Sequence, residues 1–291
     1  GTAGDGTSPL LMAVINGEFD IAMKYLEHGA DPNQMAEDDI APLFQALNRR
    51  WAPKAAYPQP AAFRQQQTDY LDLMRALLDA GADVNHRQGR HVWYTSFNFD
   101  MLGVNFTGAT AFWRAAYATD IPAMELLVEY GADPSIPTSK VPSFRFAFQP
   151  SGTADEDPSG LPPLETGDPA VDPIHAASGV GYGEGFASNS HSHAPDSWLP
   201  AIKYLVEEHG ADVNARDLNG YSPVHHAAAR GDNELILYLV SKGANVSYVS
   251  RRGETTVDMA NGPRQRIQPF PETIALLEGL GAINNHNCQS C

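Results

Sequence analysis

Tyr221-Ser222-Pro223-Val224-His225-His226-Ala227-Ala228-Ala229-Arg230-Gly231 is the stretch from which the rest of the chain can be read. Proline in the first turn of a helix loses no hydrogen bond and arrives with its φ already set, and the preceding Ser222 can cap free N–H groups. The alanines that follow let a second helix approach closely. Gly231, eight residues past the proline, suits the left-handed end of a short helix. Beyond it, Leu235, Ile236, Leu239 and Val240 keep helical spacing up to Gly243-Ala244-Asn245. The stretch therefore predicts two short helices joined by a tight turn, with a second turn after Gly243.

The same phrase recurs along the chain. A small residue, usually Pro, an apolar residue and then Ala appear as Ser8-Pro9-Leu10…Ala13, Ala41-Pro42-Leu43…Ala46 and Thr110-Ala111-Phe112…Ala115. They return as Asp172-Pro173-Ile174…Ala177 and Thr255-Thr256-Val257…Ala260. Gly17 and Gly181 stand eight residues past their prolines, as Gly231 does. The second phrase, Gly-Ala-Asp, appears at Gly29, Gly81, Gly131 and Gly210, with weaker copies at Gly243 and Gly281. Pro9 to Gly29 is 20 residues and Gly29 to Pro42 is 13, and Pro223–Gly243–Thr256 repeats both intervals.

A period of 33 with this phrase resembles the ankyrin repeat. Six copies cover nearly the whole chain, and a long-inserted array of this kind is similar to ankyrin proteins of bacterial type. The resemblance implies a mainly α fold, an ankyrin-repeat α-solenoid of stacked helix-turn-helix units with β-hairpin fingers and long loop insertions. Each unit buries its apolar face only against its neighbours. The repeats are expected at about 5–36, 38–88, 108–136, 170–217, 219–250 and 252–284, followed by a tail at 285–291. The resemblance also implies that His175 and His225 make structural hydrogen bonds between neighbouring turns, with His226 read the same way.

Departures from the period locate the extra chain. Pro42 to Gly81 is 39 residues, placing an insertion at 49–67 inside the second repeat. Gly81 to Ala111 is 30 and Gly131 to Pro173 is 42, giving insertions at 87–106 and 137–168 before the third and fourth repeats. Pro173 to Gly210 is 37, giving another at 180–197. Such insertions map to loops, often on the binding face. The first inter-repeat insertion carries Trp93, Tyr94, Phe97 and Phe99, and its β-prone composition predicts an extended hairpin finger. The next carries Phe144, Phe146 and Phe148 on one strand face. These rings either pack on the solenoid or form an aromatic recognition surface. Trp51 joins them, inside a local basic patch with Arg49, Arg50, Lys54 and Arg64.

Catalytic signals are sparse. Gly179–Gly185 has neither the preceding strand nor the Lys-Ser/Thr of a phosphate loop. No HExxH, GxSxG or Ser/His/Asp grouping is found, so the reading is non-enzymatic and calls for no cofactor. His191-Ser192-His193 could contribute imidazoles to a metal but lacks further spaced ligands nearby. The tail Cys288-Gln289-Ser290-Cys291 has the spacing of a dithiol, a disulfide or half a zinc site, and His286 could supply a third ligand. Haem attachment would need a His directly after Cys291. The start at Gly1 without Met reads as a processed product or a piece of a longer chain.

The 291 residues carry a formal net charge of −16. That excludes a nucleic-acid phosphate face as the main business, and no apolar run is long enough to span a bilayer. Eight acids and no Lys or Arg lie between Ser151 and Pro200, so half the net charge sits in 50 residues, mostly in two insertions, and predicts an acidic, Pro/Gly-rich flap. The composite expectation is a non-catalytic scaffold binding a protein partner, or another domain of its parent chain, through its finger-bearing face. Two alternatives stand beside it: a metal- or haem-linked extracytoplasmic protein anchored by the terminal Cys pair, and head-to-tail self-assembly of open solenoid ends. Low lysine content and Pro-rich insertions fit an exported protein better than a cytoplasmic one.

Overall fold

The computed structural model describes residues 2–52, 62–89, 102–142, 157–185, 191–262 and 268–286. Among them six helix pairs follow one another: α1 Pro9–Asn16 and α2 Phe19–Glu27, α3 Pro42–Arg50 and α4 Tyr70–Asp79, α5 Ala111–Tyr117 and α6 Ile121–Glu129. α7 Pro173–Ser178 and α8 Trp198–Lys203, α9 Pro223–Ala229 and α10 Asn233–Ser241, α11 Thr256–Ala260 and α12 Pro271–Gly279 complete the order. First helices stack on first helices along the array, α1 on α3 on α5 on α7 on α9 on α11. The described residues form no sheet; the turn tips hold single antiparallel bridges, Ala36 to Ile40, Ser139 to Pro169 and Val249 to Thr255.

The local chemistry follows the repeated phrase. Ser8 Oγ accepts from Leu11 N, Thr110 from Trp113 N and Thr255 from Asp258 N, each capping a first helix. Asp172 and Ser222 cap α7 and α9 in reciprocal boxes with His175 and His225 three residues on. α1 ends at Gly17 with φ 80. α7 ends earlier than the eight-residue rule predicts, at Gly179 with φ 98, because the inserted chain leaves there.

Small residues and rings fill one continuous core. Ala46, Ala115, Ala116, Ala176, Ala177, Ala227 and Ala228 are all fully buried, where the first helices touch. A stitch of asparagines runs along the second turns. Asn33 Nδ2 donates to Gly81 O (2.7 Å) while Asp83 N donates to Asn33 Oδ1 (2.8 Å). Asn85 joins Gly131 and Asp133 in the same way, and Asn214 joins Gly243 and Asn245. Each amide satisfies one carbonyl and one N–H of the next repeat, so a single side chain sets the stacking distance.

The insertions are anchored by the core. Gly181 and Gly185 lie against Leu102, where a Cβ on Gly185 would come within 2.3 Å of Leu102 Cα. The glycine run thus lets the chain leaving α7 pass beneath the chain entering α5. The aromatic segment 90–101 and residues 143–156 lie outside the described residues, and with them Trp93, Tyr94, Phe97, Phe99, Phe144, Phe146, Phe148 and the expected hairpin finger.

Candidate interaction face

Trp51, expected among the recognition anchors, is placed inside the core at 5% exposure. Its indole Nε1 donates to Asp120 Oδ2 (2.7 Å), and its carbonyl accepts from Arg114 Nη2 (2.6 Å). Tyr70 OH donates to the same Asp120 oxygen, and Asp120 Oδ1 caps α6 through Ala123 N. Burying an indole of this size between helix pairs stabilises more than exposing it, and its polar atom has found an acceptor. The basic patch is used likewise: Arg49 is buried near Phe63, and Arg50 lies 4.0 Å over the Trp51 ring. Lys54 lies outside the described residues.

His191 is also a core residue rather than an open ligand. Its ring lies 4.3 Å from Tyr117, with Tyr182, His193 and Trp198 around it, and Arg230 sits 3.7 Å over Trp198. Burial, then the charges of His193, Arg114 and Arg230, hold its imidazole well below the usual histidine range. Of the tail residues, His286 is exposed and its N–H donates to Asn284 Oδ1, while Cys288 and Cys291 lie outside the described residues.

The turn side of repeats three to six carries the built surface. Residues 138–140 pair with 167–171 through Thr138 N to Val171 O, Ala170 N to Thr138 O and Lys140 N to Asp168 O. This brings the acidic insertion back across the turn tips as a strap. Arg251 clasps it: Nη1 meets Asp157 Oδ2 at 2.5 Å, Nη2 donates to Pro162 O at 2.7 Å and Nε donates to Leu218 O at 3.0 Å. The Lys140 ammonium donates to Leu164 O. Arg87 and Arg216 cross-link other neighbouring turns, Arg87 to Pro137 O and Ser139 Oγ and Arg216 to Val249 O. A cavity of about 230 Å³ opens beside the strap, lined among others by Leu102, Val104, Lys140, Glu184, Asn219 and Arg252.

Beneath that cavity is a polar knot that sequence spacing did not reveal. Asp217 Oδ1 accepts from Asn219 N and Tyr221 N, and its Oδ2 meets His226 Nε2 at 3.1 Å. Glu184 accepts from Asn219 Nδ2 at 2.8 Å, and Tyr221 OH donates to Glu254. Burial, then the charges of Asp217 and Glu254, push the Glu184 carboxyl well above the usual range. Burial would raise Asp217 too, but the His226 bond, the His226 and His175 charges and the Tyr221 N–H hold it below its ordinary value. Glu184, Asp217 and His226 bring one ligand atom each within 4.8 Å of one another, the spacing of a metal trio. Both Asp217 oxygens are already occupied by donors of its own turn and of α9, so the trio is first a structural knot tying the fourth, fifth and sixth repeats. His175 makes the bond between turns that the repeat resemblance implies, its Nε2 meeting Ala215 O at 3.0 Å, while His225 Nδ1 accepts from Ser222 N within its own helix cap.

Capped helix pairs, glycine-ended and stacked through alanines at a fixed period, define a helical repeat solenoid. Profiles described as "Ankyrin repeat" match residues 5–37 and 219–251, and "Ankyrin repeats (many copies)" matches 190–234. Ankyrin repeat and SAM domain-containing protein 6 of Mus musculus is 31% identical over 107 residues, covering 36% of this chain and 10% of that protein. Alpha-latrocrustotoxin-Lt1a of Latrodectus tredecimguttatus is 36% identical over 59 residues, 20% of this chain and 4% of the toxin. The chain therefore spans a small part of the length of these relatives. The human ASB11 ankyrin repeat domain superposes with a TM-score of 0.53 at 16% identity, over 96% of this chain and 88% of that one, which is a likeness of fold. These matches together support an ankyrin repeat protein, and ankyrin repeats generally mediate protein–protein interaction. No described helix is long and apolar enough to cross a membrane.

Proposed function

We propose that the chain is a non-catalytic scaffold that engages a protein partner, or another domain of its parent chain, across the turn side of repeats three to six. The observation that carries this reading is the cavity beside the strap, lined by turns from successive repeats. Both aromatic segments depart from its rim in sequence: Leu102 follows 90–101 directly, and Val141 stands two residues before 143–156. In sequence Trp93, Tyr94, Phe97 and Phe99 lie within nine residues of Leu102, and Phe144, Phe146 and Phe148 within seven of Val141, and they would offer apolar anchors to a partner also touching Lys140, Glu184 and Arg252. The test places a photo-crosslinking residue at position 93 or 97, and at Leu237 on the opposite helical face as control. Crosslinks to one partner from 93 or 97 alone support the reading. Equal crosslinking from position 237 sinks it.

A second reading, head-to-tail self-assembly, is favoured by the first repeat, where Met12 and Ile21 of the helix pair and Met35 of the turn after it are 45%, 44% and 41% exposed. At the other end Ile283 is 62% exposed. Sedimentation velocity across a concentration series decides it, a constant monomer coefficient ruling self-assembly out.

A further inference from the structure

The asparagine stitch is missing where the third helix pair meets the fourth. Ser135 stands at the position of Asn33, Asn85 and Asn214, and its hydroxyl turns back onto Asp133 Oδ1 at 2.6 Å. It is too short to bridge Gly210 and Asp212 as the asparagines bridge their neighbours. Ser247 takes the same place at the last joint, but the third-to-fourth joint departs twice more.

The first departure is an extra residue. Ala132 N reaches back to Leu127 O and Ala244 N to Leu239 O, five residues each, whereas Ala211 N reaches back six, to Leu205 O. The surplus is wound into a π-helical turn at Tyr204–Glu208. Such bulges are frequent at functional sites because they re-aim the side chains that follow. Here the residue that follows is His209, set edge-on against Tyr204 at 4.7 Å and Phe112 at 6.2 Å. Its Nε2 is buried and has no hydrogen-bond partner among the described residues.

The second departure is a cavity of about 490 Å³, walled by Ile174 and Leu205 and lined by Asp133, Asp172, Asp212 and His209. That volume lies in the range of small-ligand pockets. No lysine or arginine lines it. In their own turns Asp133 and Asp212 each use Oδ1, for Ser135 N and Asn214 N, and the second oxygen of each carboxylate has no bond in those turns. A single metal ion does not suit this wall: among the described residues, the ligand trio within 4.8 Å is the separate Glu184, Asp217 and His226 group.

We propose that this joint is a binding pocket for an organic cation, a guanidinium or protonated amine on an apolar stem. The stem lies against Ile174 and Leu205, the cationic head meets the carboxylates of Asp133, Asp172 and Asp212, and the His209 ring forms part of the wall beside it. Such a head is found on an arginine side chain of a peptide and on a free diamine, and the test separates these sources.

The full chain, labelled with ¹⁵N, is titrated with agmatine, with an acetyl-Gly-Arg-Gly-amide peptide and with its neutral citrulline counterpart. Saturable shifts confined to residues 133–135, 172–174 and 205–212 are expected from agmatine or the arginine peptide, and about tenfold weaker binding from citrulline. Agmatine alone binding assigns a free amine; the peptide binding assigns an arginine of a protein. The double variant Asp133→Asn with Asp212→Asn keeps the Oδ1 turn acceptors, so its spectrum stays folded, and it should weaken binding about tenfold. No saturable shift up to about 10 mM, citrulline binding as well as arginine, or unchanged affinity in the folded double variant overturns the proposal. Should the variant unfold, the citrulline comparison on the unaltered chain still decides.

Discussion

Asp120 shows how much one buried carboxylate can organise. It is 1% exposed and accepts from Trp51 Nε1, Tyr70 OH and Ala123 N, residues of three different helix elements. Replacing it by Ala leaves an indole N–H and a phenol without an acceptor and removes a helix cap. We expect Asp120→Ala to lower stability by about 3 kcal/mol, and Asp120→Asn by about half of that, in urea denaturation followed by circular dichroism. Equal stability of Asp120→Ala and the parent would mean that water replaces these bonds. In sequence Asp120 was one acid among 35. Its partners stand 69 and 50 residues away, a pairing that no local pattern encodes.

The repeat phrase predicts helices well because capping, φ preference and close packing are local properties. Ser8, Thr110, Ser222 and Thr255 cap as their positions imply, and the alanines stack as a small-residue seam requires. Interactions between elements can be tested in two places. Asn85→Ser copies the residue found at Ser135 and breaks one stitch, which should cost about 1–2 kcal/mol in the urea midpoint analysis. Gly185→Ala drives a methyl into the Leu102 backbone, since the nearest atom would be 2.3 Å away. Backbone cannot yield as a side-chain tip can, so a loss of about 2 kcal/mol or more is expected, with amide shifts at Leu102 and Val104. An unchanged spectrum at those two residues would show that the insertions do not press on one another there.

Across the whole molecule, the acidic strap and the buried histidines set the response to conditions. Arg251 is the clasp on the strap, and its ion pair with Asp157 is partly exposed. Arg251→Met should therefore leave global stability within about 1 kcal/mol while speeding proteolysis between residues 157 and 169. Equal cleavage rates would mean that the strap is held by the 138–140 pairing instead. Burial first, then the charges of His226 and Arg216, push His225 down to about 3. Burial also lowers His175 and His191. An unfolded histidine titrates near 6.5, so between the folded values and about 6.5 the unfolded chain binds more protons and stability rises with pH. Glu184 acts in the opposite sense, because its folded carboxyl is raised and its contribution fades as pH climbs through that raised value. Three histidines against one carboxyl give a net loss on acidification. The urea midpoint should fall from about pH 7.5 to about pH 5.5, and His225→Gln should flatten that slope by up to about 1.4 kcal/mol per pH unit.

The sequence by itself determined the repeat phrase and the helix pairs it encodes, because each rests on residues within one or two turns of each other and on a fixed period. It also localised half the net negative charge to residues 151–200, of which Asp157, Glu165 and Asp168 lie in the strap. Only the tertiary structure decided that Trp51 and His191 point into the core, that Arg251 clasps Asp157 across 94 residues, and that Asp217 and His226 join Glu184 in one knot. A solenoid stacks residues that are a repeat or more apart, and insertions of unequal length scramble those separations. Contacts inside a repeat are therefore written in the spacing, while contacts between an insertion and the array exist only once the array is built.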